Sequence, residues 1–388
     1  MAIPFSYNIR NVVRRPASTI TTALGIAMVV AILVGAFALA SGFRAALVES
    51  GSESNVMVMR SGADSEISSG ISVEAAGIIR ALPEIATGPD GRPLVSAELL
   101  VLTTLNRAGG TGSSNVPIRG IQADGMPLRD RLKIVEGRAF TPGTDEVIVG
   151  KRIASRFEGC RIGQELRFGQ RRFKVVGNFD AGGTSFDSEI WGDHAVLAPT
   201  FGREGYQSVT FRMRDPKRFA AIEQQLEKDP RLGVEVRTER AFYSGQSRLM
   251  SGIIQGAGVF ITLIMAVGAI FGAMNTMYAA VATRTREIAV LLTLGFSPWA
   301  VMTSFLTESV LISLVGGAIG CLVALPINGI VTSTTNWSSF SEIAFAFRVT
   351  PVGMAIGLGF AAVMGVVGGF LPALQAARQP LSRSLRAV

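Results

Sequence analysis

No charged side chain occurs between Arg15 and Arg44, or between Arg248 and Arg284. Within the first gap, Ala23–Ala40 is apolar over a length that crosses the hydrocarbon core of a bilayer, for which about 20 residues suffice. Two more apolar runs follow, from about Val301 to Val331, with Pro326 expected to kink it, and from about Pro351 to Ala376. Apolar runs of this length constrain the fold more than any other feature. In lipid each backbone amide must be satisfied within its own segment, so the runs are read as membrane helices. A content of 48% hydrophobic and 17% charged residues agrees, being too apolar for an ordinary soluble chain.

The net charge of +8 invites a nucleic-acid reading until its location is considered. Arg10, Arg14, Arg15, Arg284, Arg286, Arg378, Arg383 and Arg386 flank the apolar runs, and less Glu287 they supply +7 of that excess. Basic residues gathered at helix ends report orientation, with the basic side cytoplasmic, and argue against nucleic acid as a partner. The connector 332–348 carries only Glu342 and Arg348 as charges, which places it on the opposite side. The pattern predicts a multi-pass membrane protein with both termini cytoplasmic. Its expected fold is an α-helical membrane protein of four transmembrane helices, with a mixed α+β extracytoplasmic domain inserted between the first two.

The boundaries follow from the same pattern. Residues 1–16 read as an interfacial helix or, alternatively, a basic disordered lead; 17–50 as the first span and a stalk; 51–240 as the outer domain. Residues 241–283 form a second stalk arm and span, 284–300 a cytoplasmic segment, 301–331 the third span, 332–348 the short outer connector, 349–377 the fourth span, and 378–388 a tail. Within the outer domain, strands are expected at Val56–Met59, Leu99–Leu105, Val116–Ile121, Glu146–Val149, Glu165–Phe168, Phe173–Val176, Ala195–Ala198, Ser208–Met213 and Val234–Arg237. Helices are expected at Ser72–Leu82 and Phe219–Lys228, giving one or two small α+β lobes. Two glycine-rich places, AGGTGSS from Ala108 and AGGTS from Ala181, read as exposed loops.

Enzymatic sites are poorly supported. Gly143–Arg152 resembles a phosphate loop, but six residues separate Gly143 from Gly150 where four are needed, and Arg152 stands where a hydroxyl should hold magnesium. His194 is the sole histidine and Cys160 and Cys321 are far apart, so neither a zinc site nor a mutual disulfide is expected. The pentapeptide G-x-S-x-G does not occur. No catalytic, cofactor-binding or metal-ligating residue is assigned, and no cofactor is expected.

The most informative stretch lies between the second and third runs. Arg284-Thr285-Arg286-Glu287-Ile288-Ala289-Val290-Leu291-Leu292-Thr293-Leu294 places apolar residues at helical spacing, with its charges at the start. Gly295 readily takes the left-handed conformation that ends a helix, and Pro298 hinders an immediate restart. Together with Phe305-Leu306-Thr307-Glu308 and Gly316-Gly317-Ala318-Ile319-Gly320, this sequence resembles the permease signature of the MacB/FtsX/LolC group, the membrane subunits of ABC systems. The runs EVIVGKRIASRF, RIGQEL and FKVVGNF resemble, more loosely, the extracytoplasmic domain of MacB-type permeases.

The resemblance implies a permease that transmits ATP-driven motion of a separate ATPase subunit to an outer domain, for export or extraction of a hydrophobic or amphipathic substrate. A lipoprotein, a glycolipid, a hydrophobic drug and a peptide are all candidates. ATP would be bound by the ATPase, not by this chain, which is therefore not expected to be an enzyme. The residues expected to meet the ATPase are Arg284, Arg286, Glu287, Ile288, Leu291, Leu294 and Gly295. Glu308 either braces this segment through Arg284 or Arg286 or is a plain interfacial charge. Gly316 and Gly320 are expected at a close helix contact, and similar spacings recur at Gly252/Gly256, Gly268/Gly272, Gly353/Gly357 and Gly365/Gly369. Expected partners are the ATPase, a second copy packed through the first two spans, a periplasmic adaptor of the membrane-fusion type, and membrane lipid. The alternatives are an FtsX-like regulator that activates a cell-wall hydrolase without transport, and a membrane-anchored hydrolase.

Overall fold

The computed structural model describes residues 10, 16–110, 112–122 and 124–379. The expected interfacial helix at 1–16 and the tail at 378–388 fall almost wholly outside them. The chain divides into two compact units, one of residues 1–41, 252–330 and 347–388, the other of residues 42–251 and 331–346.

The first unit is helical. Among the described residues, four helices are long and apolar enough to cross a membrane: α1 (Pro16–Val48), α5 (Glu239–Thr283), α7 (Pro298–Ala324, extended by a 3-10 turn to Ile327) and α8 (Pro351–Ala377). α1 and α5 each run unbroken from one unit into the other. Between α5 and α7 lies the short α6 (Thr285–Thr293). Pro326 does not kink the third apolar run as expected. It lies in the 3-10 turn beyond Ala324, and Gly329, at φ +85°, follows in a left-handed turn. A proline lacks the amide that would continue the helical ladder, so here it helps to end the helix.

Small residues set the helix contacts. A Cβ on Gly316 would lie 2.6 Å from the carbonyl oxygen of Ala23, and one on Gly320 2.5 Å from that of Ala27, so α1 and α7 touch backbone to backbone. Gly365 and Gly369 of α8 sit equally close to Ser313 and Ser309 of α7, and Ser309 Oγ donates to the Gly365 carbonyl at 2.8 Å. Gly252, Gly256, Gly268 and Gly272 of α5 face open space. Around these contacts Ile26, Val30, Val34, Cys321, Ala361 and Met364 form a buried cluster.

The second unit is a mixed α/β body. Its main sheet has ten strands in the order β10-β1-β9-β2-β3-β8-β5-β7-β4, with β6 also on β7. The strands are β1 (Asn55–Arg60), β2 (Val95–Asn106), β3 (Ser113–Ile121), β4 (Lys133–Gly137), β5 (Glu146–Gly150), β6 (Glu165–Phe168), β7 (Arg171–Asp180), β8 (Ile190–Asp193), β9 (Ser208–Arg212) and β10 (Val234–Thr238). β3–β8 and β5–β7 pair in parallel, and the other pairings are antiparallel. β2 is long enough to serve two cores. Its first residues pair with β9 beside α2 (Val73–Arg80) and α4 (Phe219–Glu227), where Val56, Ile79, Phe211, Ile222 and Val236 are buried. Its later residues pair with β3 over a core containing Ile118, Val149, Phe168, Phe173 and Leu197.

Three sequence expectations change here. Ala195–Ala198 is not a strand but the middle of α3 (His194–Thr200), started by Asp193, whose carboxylate accepts from the Ala195 amide at 3.1 Å. Four apolar residues carry no periodicity that separates strand from helix, and the cap decides. The AGGTS stretch is not an exposed loop. Ala181, Thr184 and Ser185 are buried, and the Asp187 carboxylate accepts from the Ala181 and Gly183 amides at 2.5 and 2.9 Å. Finally, residues 331–346 are not a bare connector. They form the hairpin β11 (Val331–Asn336) and β12 (Ser341–Ala346), which belongs to the second unit.

Candidate coupling site

α6 is built to hold one position. Its C-terminus closes as the sequence suggests: the Gly295 amide donates to Leu292 O (3.2 Å) and the Phe296 amide to Leu291 O (3.1 Å), with Gly295 at φ +89°. This paired closure satisfies carbonyls that a helix end otherwise leaves open. Ser297 then caps α7 by accepting from the Ala300 amide at 3.2 Å, with Pro298 at the first helical position, where its missing amide costs nothing. The break between α6 and α7 is thus only a few residues long and locally determined.

At the other end Arg284 is buried, and its Nη1 donates to Glu308 Oε2 at 2.8 Å. Glu308 is buried on α7. The guanidinium also lies 5.8 Å from the Phe305 ring centroid and 3.9 Å from Glu287. Ile288 turns inward onto a cluster with Met277, Val281, Val301, Phe305, Ala373 and Ala376, and Ala289 is also buried.

The stretch assigned to ATPase contact therefore separates into two faces. Arg284 and Ile288 point into the helical unit, and Leu291 is half-buried. Arg286, Glu287 and Leu294 are exposed, with Gly295 at the turn. Val290 on α6 and Trp299 on α7, absent from the sequence-based set, are also exposed, at 53% and 70%, against 68% for Leu294. Trp299 lies beyond the amphipathic stretch, so periodicity gave no signal for it; its place follows from the tight turn at Gly295. Gly316 and Gly320 lie along α7 against α1, as described above.

The second unit holds a buried ionic network that the sequence did not suggest. Arg119 of β3 donates from Nη1 to Glu66 Oε1 (2.7 Å) and Glu98 Oε2 (2.8 Å), and from Nε to Glu189 Oε2 (2.8 Å). Arg129 pairs with Glu98 at 3.2 Å and with Glu239 at the start of α5. All six side chains are buried. Burial pushes the Glu66 carboxyl up, but the charge and hydrogen bonds of Arg119 outweigh it and leave Glu66 below its ordinary range. At Glu189 burial prevails over the same partner, and the carboxyl sits above its ordinary range. These groups are consumed by one another, and among the described residues no cluster of histidine, cysteine and carboxylates fits a metal ion.

The remaining sequence candidates also have structural positions. Gly150, of the phosphate-loop look-alike, ends β5, where a Cβ would lie 2.3 Å from the Asp187 carbonyl oxygen; the glycine permits a close strand contact. His194 stacks on Tyr206 at 4.5 Å, and burial lowers its basicity. Cys160 and Cys321 are free and buried.

A four-helix apolar unit with a short amphipathic helix between two of its long ones, together with a large α/β unit, is the construction of an ABC-transporter permease of the MacB/FtsX type. A family model for the MacB-like periplasmic core domain matches residues 19–229, and one for the FtsX-like permease C-terminal region matches residues 259–381. The chain belongs to this MacB/FtsX-type permease family, and the resemblance drawn from the RTREIAVLLTLGFSP stretch is borne out.

Among similar proteins, the pyoverdine export ATP-binding/permease protein PvdT of Pseudomonas entomophila is 30% identical over 266 residues, 63% of this chain and 39% of that protein. The macrolide export ATP-binding/permease protein MacB of Marinobacter nauticus is 25% identical over 392 residues, 92% of this chain and 56% of that protein. The chain thus spans roughly half the length of these curated relatives or less. The periplasmic region of MacB from Actinobacillus actinomycetemcomitans aligns with a TM-score of 0.37 at 13% identity, covering 48% of this chain and 90% of that one.

Proposed function

We propose that this permease converts the movement of an ATPase subunit, bound at the outer face of α6, into work by its α/β domain on a substrate outside the bilayer. The single observation that carries the reading is that α6, with Val290 and Leu294 exposed, starts from a buried Arg284–Glu308 ion pair to α7, on which Trp299 is also exposed. An exposed apolar face of this kind suits a protein partner. A rigid attachment behind it transmits a push instead of absorbing it. In this reading the four apolar helices span the inner membrane with both termini cytoplasmic, the α/β unit stands outside, and ATP is hydrolysed on a separate subunit. Two copies of the chain work together, and α5 is the natural contact, since its Phe260, Ile264 and Phe271 are exposed.

Work outside the bilayer is preferred to conduction through it because the membrane helices carry few polar positions. A hydrophobic or amphipathic cargo follows, handed to a periplasmic adaptor. The relatives named for pyoverdine and macrolide export favour transport over hydrolase regulation.

The test is co-purification of the full chain from its native membrane, followed by ATP hydrolysis measurements on what co-purifies. An ABC ATPase should be recovered with the native chain and lost with Leu294→Glu plus Trp299→Glu. Recovery of the same ATPase by that double variant would refute the assigned face, and reporter fusions at Gly112 facing the cytoplasm would refute the topology.

A further inference from the structure

The hairpin β11–β12 lies in sequence between the membrane helices α7 and α8, yet it folds as part of the α/β unit. The charged part of its attachment falls on one residue. Glu342 is 3% exposed and is held from two sides: Arg107 Nη2, at the end of β2, donates to Oε2 at 2.5 Å, and Arg156 Nη2, in the turn after β5, lies 2.9 Å from Oε1. Arg156 Nη2 also donates to Ser333 Oγ at 2.6 Å, so both strands of the hairpin meet the same guanidinium.

Two residues further along β12, the Ala344 amide donates to Ser188 Oγ at 2.9 Å and the Ala344 carbonyl accepts from Arg152 Nη1 at 2.6 Å. Asn115 Nδ2 donates to the Phe340 carbonyl at 3.2 Å, and Phe345 packs edge-on to Phe43 at 5.5 Å. A two-stranded hairpin has little stability of its own in water. These side-chain bonds from the domain supply what it lacks, and Glu342 is the one charged group of the hairpin that they surround.

We propose that Glu342 is the fastening through which displacement of α7 and α8 is carried into the α/β domain, a third line of transmission beside α1 and α5. The proposal rests on the coupling function above. α7 also carries Glu308, the partner of Arg284, so a push on α6 has a continuous covalent path through α7 to the hairpin. A carboxylate between two guanidiniums suits this role: its bonds are strong, directional and lost together when the charge is removed. Glu342 is a positioning residue, since it acts through Arg107 and Arg156 on the body of the domain.

The test uses the full chain in lipid nanodiscs with the ATPase that co-purifies with it, read by hydrogen–deuterium exchange with and without the non-hydrolysable analogue AMP-PNP. In the native complex AMP-PNP should alter exchange in α6, in 331–346 and in the domain segments 104–116 and 150–158. Glu342→Gln, which keeps shape and removes charge, should speed exchange of 331–346 by about tenfold or more. It should also abolish the AMP-PNP response of 104–116 and 150–158 while the α6 response persists. Arg107→Ala with Arg156→Ala should reproduce both effects from the other side, and unchanged protection of β1 and β9 reports an intact domain.

A domain response to AMP-PNP that survives in these variants, with the hairpin loosened, overturns the inference and leaves the coupling function standing. Unchanged exchange of the hairpin in both variants overturns it as well, by showing that Glu342 is not the fastening. Absence of any response to AMP-PNP in the native complex, α6 included, removes the coupling function and this inference with it.

Discussion

Arg284 and Glu308 meet across the break between α5 and α7, guanidinium to carboxylate at 2.8 Å, both withdrawn from solvent. They tie the start of α6 to the body of the long apolar helix α7. A buried ion pair adds little net stability over an apolar pair, but breaking one side leaves an uncompensated charge.

Glu308→Ala and Arg284→Ala should accordingly each destabilise the helical unit by about 3–5 kcal/mol. The double change Arg284→Met with Glu308→Leu should recover most of that loss. Thermal unfolding of the detergent-solubilised full chain reads all three, and equal losses for single and double variants would count against a paired role.

Gly316 and Gly320 bring α7 onto the backbone of α1, and neither has room for a side chain. Gly316→Val or Gly320→Val should cost about 1–3 kcal/mol or more through overpacking, seen as a lowered midpoint in the same unfolding assay. Gly268→Ala and Gly272→Ala, where nothing within the chain lies within 4 Å, should not lower that midpoint.

The left-handed turn at Gly295 can be tested without touching any contact. Its φ is +89° and no atom lies within reach of an added Cβ, so Gly295→Ala isolates the backbone term. A cost of about 1–2 kcal/mol is expected. It should appear as faster amide exchange at Gly295→Ala itself and at Phe296, whose amides close the end of α6.

Glu146 gives a pH dependence of known sign. Hydrogen bonds from Arg138 hold its carboxyl down at about 2, against an ordinary value of 4.5. Because the folded value is the lower one, the stabilisation is present above 4.5 and is lost as pH falls from there toward 2. The site is near solvent, so the effect is modest and salt-sensitive. Glu146→Gln should flatten the stability–pH curve of the full chain within that window, lowering stability modestly at neutral pH and meeting the native curve near pH 2.

The apolar runs and the α6 stretch were legible in the sequence for definite reasons. Charge-free runs admit one backbone solution in lipid, and the Gly295–Pro298 spacing announces a stop and a restart. Ala195–Ala198 is ambiguous in sequence because four apolar residues show no period, and Asp193, the capping residue that settles it, lies outside the run. β8, four residues with a glycine among them, was too short to stand out.

The network around Arg119 and the fastening of Glu342 were illegible for another reason. Arg119 reaches Glu66, Glu98 and Glu189 from separate parts of the chain, and Arg107 reaches Glu342 over 235 positions. No local pattern encodes pairings made only when distant strands come together. Trp299 shows the same limit at shorter range, since its exposure depends on the turn that precedes it.

The hairpin also sets a rule for anyone exchanging parts between such permeases. The α/β unit is not contiguous: cutting at residues 42 and 251 would leave β11 and β12 behind on the recipient. A chimera made that way would present Arg107, Arg152 and Arg156 to a stranger's loop, and Glu342 would face a stranger's domain. Modules in this architecture have to be moved as two segments, or not moved at all.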